Sequence, residues 1–153
     1  MVEFAGYNMP IQYEGVKAEH LAVRNSLGVF DVSHMGEFYI TGDKSHDFLQ
    51  SILSNDISVL INDQAQYTCM PNDKNGIVDD LIVYKFNDKK YMLVVNASNI
   101  EKDLNWINSK NNYGVSIKNE SEKYSLLAIQ GPKAIDAMQS LTNIDLNSIA
   151  FYH

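Results

Sequence analysis

Apolar and polar positions along the chain alternate with two different periods. In "EGVKAEHLAVRNSLG" (14–28), Val16, Val23 and Leu27 recur at helical spacing, charges fill the rest of the wheel and Gly28 stands as a stop, so a first helix is predicted. "GEFYITG" (36–42) sets β-branched and aromatic residues between two glycines and predicts a short strand. "DKSHDFLQSIL" (43–53) returns to the helical period, with Phe48, Leu49, Ile52 and Leu53 on one face and Asp43 as the expected N-cap. "QAQYTCM" (64–70) and "GIVDDLIVYKF" (76–86) flank "PNDKN", a cluster of turn formers, and together predict a hairpin. "KYMLVVN" (90–96) is short and apolar enough to be a third neighbouring strand. "ASNIEKDLNWINSK" (97–110) places Ile100, Leu104 and Ile107 three or four apart, with Ser98 as the expected cap, and "GVSIKN" (114–119) closes the series as a strand.

The order strand, helix, three strands, helix, strand predicts an α+β fold of the split βαβ, ferredoxin-like kind, with helices on one face of an antiparallel sheet. "YSLLAIQGPKAIDAMQSL" (124–141) reads as a strand, a turn at "QGP" and a helix from near Pro132 with Ile135, Met138 and Leu141 on one side. Because the sheet is complete without it, this piece is expected to begin a different packing unit.

Asp79 and Asp80 interrupt an otherwise apolar strand. Side chains alternate, so Asp79 shares a face with Ile77, Leu81 and Val83, and Asp80 shares one with Val78, Ile82 and Tyr84. On a covered face an ionised carboxylate is costly unless bonded or paired, which makes the buried one a candidate site. The competing reading puts both at the turn end of the hairpin, in water, where they limit edge aggregation. Residue spacing leaves both readings open. Tyr84 stands two pairs along from Asp80 on its face, and a hairpin brings Tyr67 alongside. A carboxylate flanked by phenols suits a flat heteroaromatic ligand, with rings stacking and the acid accepting from ring N–H groups.

Composition narrows the chemistry. The 153 residues are 45% apolar and 20% charged, an ordinary globular balance with room for one or two small domains. A formal charge of −7 without a Lys/Arg cluster argues against nucleic acid and anionic lipid as partners. Cys69 is the single cysteine, which excludes an internal disulfide or a zinc site built on several thiolates and suits a reducing cytosol. The four histidines lack metal-ligand spacing, so no metal is expected. His34 lies in a helix-to-strand loop, where it either serves a site or caps a turn, while His20 and Arg24 one helical turn apart read as a solvated pair. The opening "MVEFAGYNMP" does not have the form of a secretory signal, no apolar run approaches the ~20 residues of a membrane helix, and the sequons at 96–98 and 119–121 therefore read as coincidental.

"FAGYNMPIQY", "EHLAVRNSLGVFDVSHMGEF", "QAQYTCM", "NGIVDDLIVYKF", "YMLVVNASNIEKDLNWI" and "LLAIQGP" occur in the order, and with nearly the whole-chain coverage, of the amino-terminal portion of the glycine cleavage T-protein family, the aminomethyltransferases, which this chain resembles. Tyr7 departs from the usual Trp, and Asn75 from the common Gly. The resemblance implies a transferase that takes an aminomethyl group from the lipoyl arm of H protein, releases ammonia and passes the carbon to tetrahydrofolate. It places the essential carboxylate at Asp80 and lines the pterin site with Met35, Tyr67, Tyr84 and Asn96. It also implies a fragment, with family pocket residues lying beyond His153: 1–35 as the first part of a split folate-binding domain, 36–119 as the split-βαβ domain carrying the acid, and 120–153 as an incomplete return that leaves the chain inactive alone. Location in a bacterial cytoplasm, or in mitochondria if eukaryotic, follows from the same likeness. Related folate-binding proteins are alternatives: the iron–sulfur assembly factors of this fold, which generally lack the acid, and the corresponding region of dimethylglycine and sarcosine dehydrogenases.

Overall fold

The computed structural model describes residues 1–153. In chain order the elements are β1 (Val2–Phe4), β2 (Tyr7–Met9), α1 (Val16–Asn25), β3 (Gly28–Asp31), β4 (Gly36–Thr41), α2 (Ser45–Ile52), β5 (Gln64–Pro71), β6 (Ile77–Asn87), β7 (Lys90–Val95), α3 (Ile100–Lys110), β8 (Ser116–Asn119), β9 (Leu127–Gln130) and α4 (Ala134–Gln139). They fall into two compact units, one made of 1–34 and 125–151, the other of 35–124 with 152–153.

The second unit holds a five-stranded antiparallel sheet in the order β5-β6-β7-β4-β8. Both β7 and β8 run antiparallel to β4 between them, so they are parallel to each other and α3 joins them as a split βαβ crossover. The α2 segment leads from β4 towards β6 in the matching way, and β5 is an extra outer strand hairpinned to β6 through 72–76. This is the ferredoxin-like arrangement the element order predicts, with one strand added.

The helices pack on one sheet face. Phe48, Leu49 and Ile52 of α2 and Ile107 of α3 bury against Phe38 and Ile40 of β4, Leu81 and Val83 of β6, and Leu93 and Val95 of β7. Each such side chain contributes about 1.5–3 kcal/mol relative to exposure. Gly36 lets α3 approach: a Cβ there would lie 2.7 Å from Ile100 Cγ1 and 2.8 Å from Val95 Cγ2. The opposite face carries Tyr67, Asp80, Ile82, Tyr84, Met92 and Tyr39, and also the buried Val94 and Glu37.

The first unit is thinner. The hairpin β1–β2 and the pair β3–β9 are each two-stranded, with α1 and α4 beside them. The His34 ring meets Phe4 edge-on at 5.5 Å and Tyr7 at 6.3 Å, so it packs as part of the hairpin. Helix α1 starts at Gly15 without a side-chain cap; instead Glu19 Oε1 accepts from the backbone N–H of Tyr13, Glu14 and Gly15, which together hold its carboxyl below the usual range.

Two expected caps are corrected. Asp43 does not cap α2, whose N-cap is Lys44, because its carboxylate pairs with Lys89 at 2.7 Å. Ser98 does not cap α3 either: residues 97–99 form a 3₁₀ turn and Asn99 takes the N-cap position, again without a side-chain cap bond. Strands β1, β2 and β3 fall where no strand was expected, since runs of three or four residues give too little periodicity to register.

Candidate functional site

Strand β6 presents its two aspartates to opposite sides. Asp79 points under the helices and is 8% exposed, whereas Asp80 is half-buried on the helix-free face. Of the readings the residue pattern left open, the one with both carboxylates in water is therefore excluded.

Register fixes what lies beside Asp80. Leu81 pairs with Val95, and Val95 with Gly36, so one step beyond those pairs Asp80, Asn96 and Met35 stand at the same end of three adjacent strands. Across the other edge of β6, Cys69 pairs with Asp80 and Tyr67 with Ile82, which turns Tyr67 to the Asp80 face. The Tyr67 hydroxyl donates to Asp80 Oδ2 at 2.8 Å, a bond that pushes the phenol's pKa up, and Asn96 Nδ2 donates to Asp80 Oδ1 at 3.2 Å. Each carboxylate oxygen thus has one protein donor and keeps a lone pair for a further donor.

Asn96 does more than touch Asp80. Its Nδ2 also reaches the Asp80 carbonyl at 3.1 Å and Asp79 Oδ1 at 3.1 Å, while Asn99 Nδ2 donates to Asp79 Oδ2 at 2.9 Å. Burial works to raise the Asp79 pKa, but side-chain hydrogen bonding, with the Asn99 and Asn96 amides as observed donors, outweighs it and leaves the group below the usual carboxylate range.

Tyr84 is placed differently from the expectation of two flanking phenols. It shares the face of Asp80 but lies four residues along β6, roughly 13 Å away at the rise of a strand. It sits opposite Ala65, whose backbone N–H donates to the Tyr152 carbonyl at 2.7 Å, and burial followed by the nearby Tyr152 raises its pKa. Tyr67, Asp80 and Asn96 are thus brought into direct contact, Met35 into the same row, and Tyr84 onto the same face at a distance. No group of three or more His, Cys, Asp or Glu is arranged to hold a metal ion, and no helix is long and apolar enough to cross a membrane.

Two residues of this neighbourhood were not singled out from the sequence, Asn99 and Asp103. Asp103 carried a legible signal: it falls three residues after Ile100 and one before Leu104, on the apolar face of α3, where a charge is out of place. It is fully buried, and neither carboxylate oxygen has a hydrogen-bond donor.

The GCVT N-terminal domain family matches residues 1–153. The chain is 63% identical over 152 residues to an aminomethyltransferase of Flavobacterium psychrophilum and 57% identical over 152 residues to one of Bacteroides fragilis, in both cases over 99% of this chain and 42% of the relative. The crystal structure of the glycine cleavage system aminomethyltransferase T from Bartonella henselae superposes with a TM-score of 0.91 at 32% identity, covering 99% of this chain and 42% of that one. The chain therefore spans well under half the length of the relatives it matches. A match along its entire length, on a fold shared with a solved member, identifies the chain as belonging to the GCVT N-terminal domain family.

Proposed function

We propose that this chain carries the acid-bearing portion of a tetrahydrofolate-dependent aminomethyltransferase of the glycine cleavage system. The observation that carries the reading is the Asp80 carboxylate held by Tyr67 and Asn96 on the helix-free face, with acceptor capacity to spare, in a chain similar throughout to aminomethyltransferases.

The reaction takes the aminomethyl group on the lipoyl sulfur of H protein. The carbon–sulfur and carbon–nitrogen bonds break, the two folate nitrogens each give up a proton and bond to the carbon, and the lipoyl thiol, ammonia and methylene-tetrahydrofolate leave. Positive charge develops on the transferring carbon and its nitrogens. A fixed anion beside them orients the nucleophile and stabilises that charge, and the same carboxylate is placed to relay a proton. Asp80 is that anion; Tyr67 and Asn96 restrict its rotation, so little reorganisation is left for the reaction itself. Met35 and Tyr84 complete the proposed folate-binding set, with Met35 in the row of Asp80 and Tyr84 further along the face. The 1–34 and 125–151 unit corresponds in this reading to a split folate-binding domain completed by other parts of the protein, and the setting is the bacterial cytoplasm.

The test is Asp80→Asn in the full-length protein, with tetrahydrofolate titrated against aminomethylated H protein and ammonia release measured. Folding is expected to be retained and turnover to fall on the order of 10²- to 10⁴-fold. Unchanged turnover would sink the assignment, and absence of any folate-dependent ammonia release in the wild-type protein would sink the function.

A further inference from the structure

Behind Asp80, on the covered side of β6, a second carboxyl faces Asp79. Asp103 projects from α3 with no solvent exposure, and no donor reaches either of its oxygens. A fully buried aspartate left ionised without a donor is costly, and a neighbouring anion adds repulsion. The charges that act on it are few. Asp79 and Asp80 face it from β6, and Lys102 on its own helix lies 3.9 Å away with its Nζ already donating to the Val78 carbonyl at 2.7 Å. The neighbouring Asn99 is neutral and its amide is committed to Asp79.

We propose that Asp103 is a positioning residue that keeps its proton and donates it to Asp79, so that the pair carries a single negative charge, anchors Asn96 and Asn99, and through Asn96 aims the Asp80 carboxylate. From the proposed Asp103–Asp79 bond the path continues through observed hydrogen bonds: Asn96 Nδ2 donates to Asp79 Oδ1 at 3.1 Å and to Asp80 Oδ1 at 3.2 Å. A proton on Asp103 satisfies one of its orphaned oxygens. Burial first, and then the hydrogen bonding and charge of the adjacent Asp79, raise its pKa from an ordinary 3.8 to about 7, in keeping with the proton staying on this member of the pair. Asp79 is the better anion because two amide groups already donate to it.

The effect on turnover rests on the aminomethyltransferase reading, whereas the proton on Asp103 does not, and the experiment separates them. In the intact protein labelled with ¹³C at aspartate carboxyls, the Asp103 resonance is identified by its loss in Asp103→Asn and followed against pH. It is expected to titrate near neutrality, well above the other aspartates. Wild-type turnover is expected to fall above neutral pH as the proton leaves Asp103; Asp103→Asn keeps a donor for Asp79 and is expected to retain turnover within about threefold while removing that fall, and Asp103→Ala, with no donor, is expected to lose on the order of 10- to 100-fold. Titration of Asp103 with the ordinary carboxylates overturns the proposal. So does a pair of variants that lose activity equally, or an unchanged pH profile in Asp103→Asn. If the wild-type protein releases no ammonia, the aminomethyltransferase reading fails while the ¹³C titration still decides the protonation of Asp103.

Discussion

The two units of this chain are built on opposite terms. Every buried apolar side chain lies in the 35–124 unit, from Phe38 to Val115, and the 1–34 and 125–151 unit has none. In the first case a five-stranded sheet is covered by two amphipathic helices, and the period of each element agrees with the side it buries. In the second, Val29, Phe30, Leu127, Ile135 and Ile149 remain 43–57% exposed despite regular pairing of β3 with β9. In this chain, which spans 42% of its relatives' length, the β3–β9 pair has too little area to close over its own apolar face. The residues proposed to do chemistry, Asp80, Tyr67 and Asn96, stand on the unit with the core, where packing fixes the backbone that aims them.

The contrast is sharp enough to break. Phe38→Ala is expected to cost about 3–5 kcal/mol in denaturant unfolding of the sheet unit, and Phe30→Ala less than about 1 kcal/mol, since the first leaves a cavity and the second trims a half-exposed ring; equal costs would refute the contrast. Next in size is the effect of Asp103. Its folded-state pKa is raised, so its contribution is fully present below about 3.8 and is lost as pH rises to about 7. Asp103→Asn should therefore gain on wild type in unfolding free energy across that window, by on the order of 3 kcal/mol at pH 8, and a constant difference from pH 4 to pH 8 would refute the linkage. Tyr67→Phe removes only the hydroxyl bonded to Asp80 on a ring that is 49% exposed. Thermal stability is expected to stay within ~0.5 kcal/mol while the proposed turnover of the full-length protein drops about tenfold; a large loss of stability would recast Tyr67 as a structural residue. The smallest change is Asn75→Gly. Asn75 adopts a left-handed φ of 60° in the hairpin turn, so glycine should stabilise the sheet unit by a few tenths of a kcal/mol, readable as a small rise in the unfolding midpoint.

The sequence by itself determined the elements whose signals are local. Helical spacing in 14–28, 43–53 and 97–110, two-residue alternation in 64–86 and the turn formers of "PNDKN" specified α1, α2, α3 and the β5–β6 hairpin, and the order of elements specified a split βαβ sheet. It also determined that Asp79 and Asp80 face apart, because that follows from the pleat. The tertiary structure alone decided which of them lies under the helices, since alternation gives parity and only the side chosen by α2 and α3 gives direction. It likewise decided the pairing of β3 with β9, separated by about a hundred residues of chain, and the use of Asp43 in an ion pair instead of a cap. The meeting of Asp103 with Asp79 belongs to the same class: each is readable as a misplaced charge, but only the packing of α3 on β6 brings the two carboxyls together and determines where one proton is kept.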